Sequence, residues 1–141
     1  MGAVSPFPVA VSRPGPPPRT VLLVEDEATV RSFVLRALEL AGFRVFEAQH
    51  PKEAFQVLER VAGCVDLILT DVVMPGMSGR LMADRLASRY PNLRFLFMSG
   101  NADVVRILNG AGATDGAMLC KPFTPTLLIE RVRKALDVEG T

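Results

Sequence analysis

The sequence predicts an α/β fold in which a five-stranded parallel sheet carries helices on both faces. Three observations predict it. Five short apolar runs alternate with segments whose apolar residues recur at helical spacing. The clearest run, Leu67 to Leu69, is continuous rather than alternating, as in a strand buried on both faces. The connections are short, and several carry the Gly, Pro or Thr expected at a helix boundary.

Residues 1–19 contain six prolines and little that could pack, which predicts a disordered proline-rich tail or linker ahead of a folded unit at 20–138 and a short tail at 139–141. Val21 to Val24 form the first strand. The helix after it repeats Val30, Phe33, Val34, Ala37, Leu38 and Ala41 and stops at Gly42. Phe43 to Phe46 make the second strand. Pro51 then opens a helix with the stripe Ala54, Phe55, Leu58 and Val61, ended by Gly63.

The third strand, beginning at Leu67, ends at Asp71, and Pro75, Gly76 and Gly79 turn the chain into a helix from about Arg80 to Arg89 carrying Leu81, Met82 and Leu86. Arg94 to Met98 form the fourth strand. A weaker helix covers about 102–108, and three glycines punctuate the loop before the fifth strand, Ala117 to Cys120. Thr124 caps and Pro125 opens the final helix, whose face is Leu128, Val132, Ala135 and Leu136.

Such an alternation fits the flavodoxin-like strand order 2-1-3-4-5, with ligands expected in the crevice at the carboxyl ends of strands one and three. An aspartate at a strand end can simply cap the next helix. Here four strand ends finish in polar groups: Glu25-Asp26, Asp71, Ser99 and Lys121-Pro122. Carboxylates, a hydroxyl and an ammonium are thereby delivered to one edge.

Composition narrows the function. The chain has 141 residues, one domain's worth, with a net charge of +1 and no basic block longer than a dipeptide, so no direct nucleic-acid or anionic-membrane surface is expected. No apolar run approaches the roughly 20 residues that span a bilayer. Cys64 and Cys120 match no metal-ligand spacing and read as free thiols in a reducing cytoplasm, the second in a buried strand. The single histidine, His50, precedes Pro51 and reads as a surface residue.

Three carboxylates at one edge repel each other by about 4 kcal/mol per pair at about 4 Å and an effective dielectric of about 20. A hard divalent cation such as Mg²⁺ removes that conflict, since it takes oxygen ligands and tends to pair one or two carboxylates with a phosphate. With Ser99 and Lys121 added, the edge has what phosphoryl transfer needs: a carboxylate nucleophile, a metal, a fixed cation and a hydroxyl donor.

The ordered set Glu25-Asp26, Asp71 with Pro75-Gly76 and Gly79, Ser99, and Lys121-Pro122-Phe123 resembles the receiver domain of two-component response regulators, over about Thr20 to Val138. The resemblance implies that Asp71 is the phosphoacceptor, that Glu25, Asp26, Asp71 and the Val73 backbone carbonyl hold Mg²⁺, and that Ser99 and Lys121 contact the phosphoryl oxygens. It also implies a cis bond between Lys121 and Pro122, and a histidine kinase or histidine phosphotransfer domain as partner. The wording around Ser99 and Lys121 is closest to receivers of hybrid sensor kinases, so the chain is expected to be a stand-alone receiver or part of such a kinase.

Two positions, Met118 and Val73, depart from the family pattern. The switch position three residues before the lysine, usually aromatic, is Met118, which reads equally well as a plain core residue. Val73 and Asn101 stand where the family positions water for hydrolysis; valine cannot do so, and a long-lived phosphoaspartate is expected. On the first helix, Leu35 is expected on the outer side with Ala28, Arg31 and Ser32, on the helix that docks the phosphodonor in the resembled family. Oligomeric state is left open.

Competing folds fit less well. A dehalogenase-type phosphatase wants a second aspartate at the position of Val73. A flavodoxin-like cofactor protein wants a Ser/Thr/Gly-rich loop where Glu25-Asp26-Glu27-Ala28 stands. A pseudo-receiver that binds a partner without chemistry remains compatible with the residues.

Overall fold

In the computed structural model, which describes residues 18–100 and 118–137, five parallel strands form one sheet in the order β2-β1-β3-β4-β5. The strands are β1 (Thr20–Val24), β2 (Arg44–Ala48), β3 (Leu67–Asp71), β4 (Arg94–Ser99) and β5 (Met118–Cys120). The helices are α1 (Ala28–Leu40), α2 (Pro51–Val61, followed by a 3-10 turn over Ala62–Cys64), α3 (Gly79–Arg89) and α4 (Pro125–Asp137). Residues 1–17 of the tail predicted over 1–19, the helix at 102–108, Ala117, Asn101 and residues from Val138 onward lie outside the described residues.

Side-chain alternation along each buried strand splits the core in two. On one face Val21, Leu23, Leu67, Leu69, Leu96, Met98 and Leu119 meet Val34 and Leu38 of α1 and Leu128, Val132 and Leu136 of α4. On the other, Leu22, Val24 and Ile68 meet Ala54, Val57 and Leu58 of α2 and Met82 and Leu86 of α3. Each fully buried leucine contributes about 1.5–3 kcal/mol, so the central strands are the most firmly held part of the molecule. Their register fixes the site: Val24 lies opposite Thr70, Asp71 opposite Met98, and Ser99 opposite Cys120.

Several boundaries differ from the sequence reading. β2 begins at Arg44, because Phe43 belongs to the closure of α1: its N–H donates to the Leu38 carbonyl at 3.0 Å while Gly42, at φ +96°, donates to Glu39. That paired closure needs the left-handed glycine. α3 begins at Gly79, one residue before Arg80, with the Ser78 hydroxyl accepting from Leu81 N–H at 3.0 Å. β4 runs through Ser99. α2 gives way to its 3-10 turn before reaching Gly63.

Four burial expectations are corrected. Phe33 and Leu81, placed in core stripes by spacing, are 42% and 43% exposed; Phe33 lies at the flank of its stripe, against Phe123 with ring centroids 6.2 Å apart. Leu35 is not on the outer side but half-buried against the core. It shares a flank of α1 with Arg31, one turn earlier, and that flank faces β2, where Arg31 pairs with Glu47. Cys120 is exposed, since it ends an edge strand; Cys64 is exposed too, and both are free. His50 is exposed as expected.

Candidate functional site

β1 and β3 are neighbours that stop at the same level, so the residues just past Val24 and at the end of β3 share a rim. There Glu25, Asp26 and Asp71 each offer a carboxylate oxygen within 4.8 Å of the others. Glu25 and Asp71 are buried, and Asp26 is exposed. At such separations each like-charged pair costs on the order of 3 kcal/mol or more at a dielectric of about 20.

Lys121, just past β5, partly offsets this. Its Nζ lies 3.1 Å from Glu25 Oε1 and 3.3 Å from Asp71 Oδ2, spanning the two buried acids. Burial alone would lower the Lys121 pKa, but Asp71 and then Glu25 outweigh it and hold the ammonium above its ordinary value. Glu25 is pushed up from the usual carboxylate range by burial first and by Asp71 second, against the lowering pull of the Glu27 N–H and of Lys121. One ammonium thus pairs with two of the three carboxylates at the rim.

The backbone holds these groups in place. Glu25 N–H donates to Ala48 carbonyl at 3.0 Å, and Glu25 Oε2 accepts from Glu27 N–H at 3.1 Å. Lys121 N–H donates to the Ser99 carbonyl at 2.8 Å, which ties the buried Ser99 to the lysine. The Lys121–Pro122 bond is cis, as the resemblance implies. After Asp71 the chain doubles back: Val72 N–H reaches Met98 carbonyl at 2.9 Å, and Gly79 N–H reaches Val72 carbonyl at 2.7 Å. Val73, between them, is 61% exposed.

Glu25, Asp26, Asp71 and Lys121 are therefore brought together at one rim, with Ser99 beside them through its backbone. Met118 is buried with Val72, Ala83 and Phe97. Of the expected partner surface, Ala28 and Ser32 are exposed, whereas Arg31 pairs with Glu47 of β2 and Leu35 is half-buried against the core.

Three residues contribute to the site in ways that the sequence reading did not foresee. Arg31 Nη1 donates to the Glu25 carbonyl at 2.9 Å, and Arg131 Nη1 donates to the Met118 carbonyl at 2.7 Å. The third is Gly79, where a Cβ would run into the Asp71 carbonyl oxygen. Arg131 had a signal: three residues after Leu128, it falls on the buried side of α4.

An all-oxygen acidic cluster of this kind can hold a hard divalent cation. The donor set fits: three carboxylates of which one is open to solvent, and more negative charge than the single ammonium neutralises. Among the described residues no helix is long and apolar enough to cross a membrane.

Comparison with known proteins agrees with this geometry. Residues 21–133 match the family model of the response regulator receiver domain. The chain is 38% identical over 118 residues to the sensor kinase CckA of Brucella abortus, covering 84% of this chain but only 12% of the kinase. It is 33% identical to the response regulator receiver protein CpdR of the same organism, covering 84% of this chain and 97% of that protein. Among solved structures, the receiver domain of the hybrid histidine kinase CckA superposes with a TM-score of 0.68 at 34% identity, covering 83% of this chain and 98% of that one. With fold, strand order and sequence in agreement, the chain belongs to the response regulator receiver domain family, the signalling modules of two-component phosphorelays.

Proposed function

We propose that this receiver accepts a phosphoryl group on Asp71 from the phosphohistidine of a histidine kinase or phosphotransfer domain. A carboxylate oxygen of Asp71 forms the new O–P bond as the donor's P–N bond breaks, and the departing imidazole takes up a proton. Lys121 would pair with a phosphoryl oxygen, and the Ser99 hydroxyl would donate to another. Such fixed donors stabilise the charge that develops on the equatorial oxygens. Glu25, Asp26, Asp71 and the Val73 carbonyl would hold Mg²⁺, which when bound neutralises phosphoryl charge.

The observation that carries this is the Lys121 ammonium spanning Glu25 and Asp71 at a rim that also holds Asp26. Once phosphorylated, Asp71 no longer offers Lys121 the same partner, and Ser99, linked to Lys121 through the backbone, shifts with it. Met118, at the usual aromatic switch position, fills the space that Ser99 vacates. The only chemistry this rim performs is on its own carboxylate, with no turnover of an external substrate. On α1, the outer face of Ala28 and Ser32, flanked by exposed Phe33 and Leu40, is the surface offered to the phosphodonor. The two free cysteines fit a cytoplasmic setting.

Incubation with a small phosphodonor and Mg²⁺, followed by intact mass, tests the assignment. The wild-type chain is expected to gain one phosphoryl group and Asp71→Asn none. Equal labelling of both would overturn it.

A further inference from the structure

Arg31 is charged, yet its side chain is only 16% exposed, and its guanidinium has two separate partners, one by hydrogen bond and one by ion pair. Nη1 donates to the Glu25 backbone carbonyl at 2.9 Å, and Nε lies 3.4 Å from Glu47 Oε1. The first partner lies just past the end of β1, where strand pairing has run out; the second belongs to β2. Arg31 is itself fixed in the first turn of α1, with its N–H on the Glu27 carbonyl at 2.9 Å. The guanidinium therefore joins three elements around the turn from which Glu25 and Asp26 project.

Glu25 is held on every side: its N–H by Ala48, its carboxylate by the Glu27 N–H and Lys121, and its carbonyl by Arg31. Of these holds, the one from Arg31 comes from a side chain outside the acidic rim. Arg31 reaches the carbonyl and the carboxylate from two different nitrogens of one rigid plane, Nη1 and Nε, a geometry that the single nitrogen of a lysine ammonium on a flexible stem does not reproduce. This separates Arg31 from the docking surface, since its donors point inward to β1 and β2.

We infer that Arg31 is a positioning residue for the rim: by bridging the Glu25 carbonyl to Glu47 it fixes the β1–α1 turn in the form that brings the Glu25 and Asp26 carboxylates to Asp71. The inference rests on the proposed Mg²⁺-dependent phosphoacceptor role. Loss of a group that orients metal ligands from outside typically weakens metal binding by about 10–100-fold.

The test uses the full chain and four proteins: wild type, Arg31→Ala, Arg31→Lys and Glu47→Gln. Mg²⁺ affinity is measured by titration calorimetry, and phosphorylation is followed with a small phosphodonor and separately with a phosphotransfer protein. Arg31→Ala is expected to bind Mg²⁺ roughly tenfold more weakly and to slow both donors alike. Arg31→Lys should recover part of the affinity, and Glu47→Gln should lose less than Arg31→Ala because the Glu25 carbonyl keeps its donor.

Unchanged Mg²⁺ affinity in Arg31→Ala overturns the inference, as does slowing with the protein donor alone, which would return Arg31 to the docking surface. Equal affinity in the alanine and lysine variants also overturns it, because a charge at that place would then contribute nothing. If Arg31→Ala does not fold, the lysine and Glu47→Gln variants carry the comparison. A wild-type chain that binds no Mg²⁺ sinks the function proposed above instead, so the two failures are distinct.

Discussion

Gly79→Ala is the sharpest perturbation the structure offers, because the glycine's backbone does not require glycine while its surroundings do. Its φ lies outside the left-handed region, so alanine is allowed conformationally and gains at most about 1 kcal/mol in helix propensity. The added Cβ, however, meets the Asp71 carbonyl oxygen, with the Asp71 carbonyl carbon at 3.0 Å and Thr70 Oγ1 at 3.2 Å. These are mostly backbone atoms of the central strand and cannot swing aside. An overpacking cost at or above the top of the usual 1–3 kcal/mol range, less the helical gain, leaves a net loss of about 2–3 kcal/mol. At about 3–4 °C per kcal/mol for a domain of this size, the Tm should fall by roughly 6–12 °C. Relief requires the Asp71 peptide to move, so labelling by a small phosphodonor should slow at temperatures where the variant is fully folded. Gly63→Ala, with nothing within 4 Å of its Cβ and no positive φ, is the matched control and should change neither quantity. A Gly79→Ala protein with the Tm and labelling rate of the wild type would refute the close approach on which this reasoning depends.

Lys121→Met should lower the Tm of the metal-free protein, and the deficit should depend on pH. The folded state raises Lys121 above 10.5, so its stabilisation is full below that value and is lost as pH climbs through the raised one. Glu25 is raised above 4.5, so on acidification it takes its proton early, and its part of the pairing with Lys121 fades there. Melting curves of both proteins across pH should therefore show the largest gap near neutrality; a gap of constant size would count against the ion pairs. Val73→Asn should shorten the lifetime of the phosphorylated protein by roughly tenfold, equivalent to about 1.4 kcal/mol of barrier. The check is loss of phosphoryl mass over time after donor removal, and loss within seconds from the wild type itself would contradict the slow hydrolysis expected of valine at this exposed position.

The strand ends were legible because they are local signals. An apolar run that stops at Asp71, Ser99 or Lys121 reports both the strand and the group at its tip, and parallel pairing then aligns the tips. Helix flanks were less so. Whether Leu35 or Phe33 is covered depends on how α1 lies over β2 and beside Phe123, which spacing within the helix does not encode. Arg31 was misassigned for the same reason: a polar residue beside an apolar stripe reads as solvent-facing until Glu47 and the Glu25 carbonyl are placed next to it. Phe43 was read as strand because its apolar character is equally compatible with closing the preceding helix. Gly79 looked like one more turn residue, since contact with a backbone eight positions earlier leaves no trace in composition.

The rim's charges have unequal footings. Asp71 stands on a strand flanked by neighbours on both sides, whereas Lys121 follows a three-residue strand paired, among the described residues, with β4 alone and braced from α4 by Arg131. A force applied between the two is therefore absorbed unevenly: the acid's foundation stays still and the base's support yields. Amide exchange should rank them accordingly, slow in β3 and fast in β5, and any signal leaving the rim has a mechanical reason to exit along the sheet's loose margin.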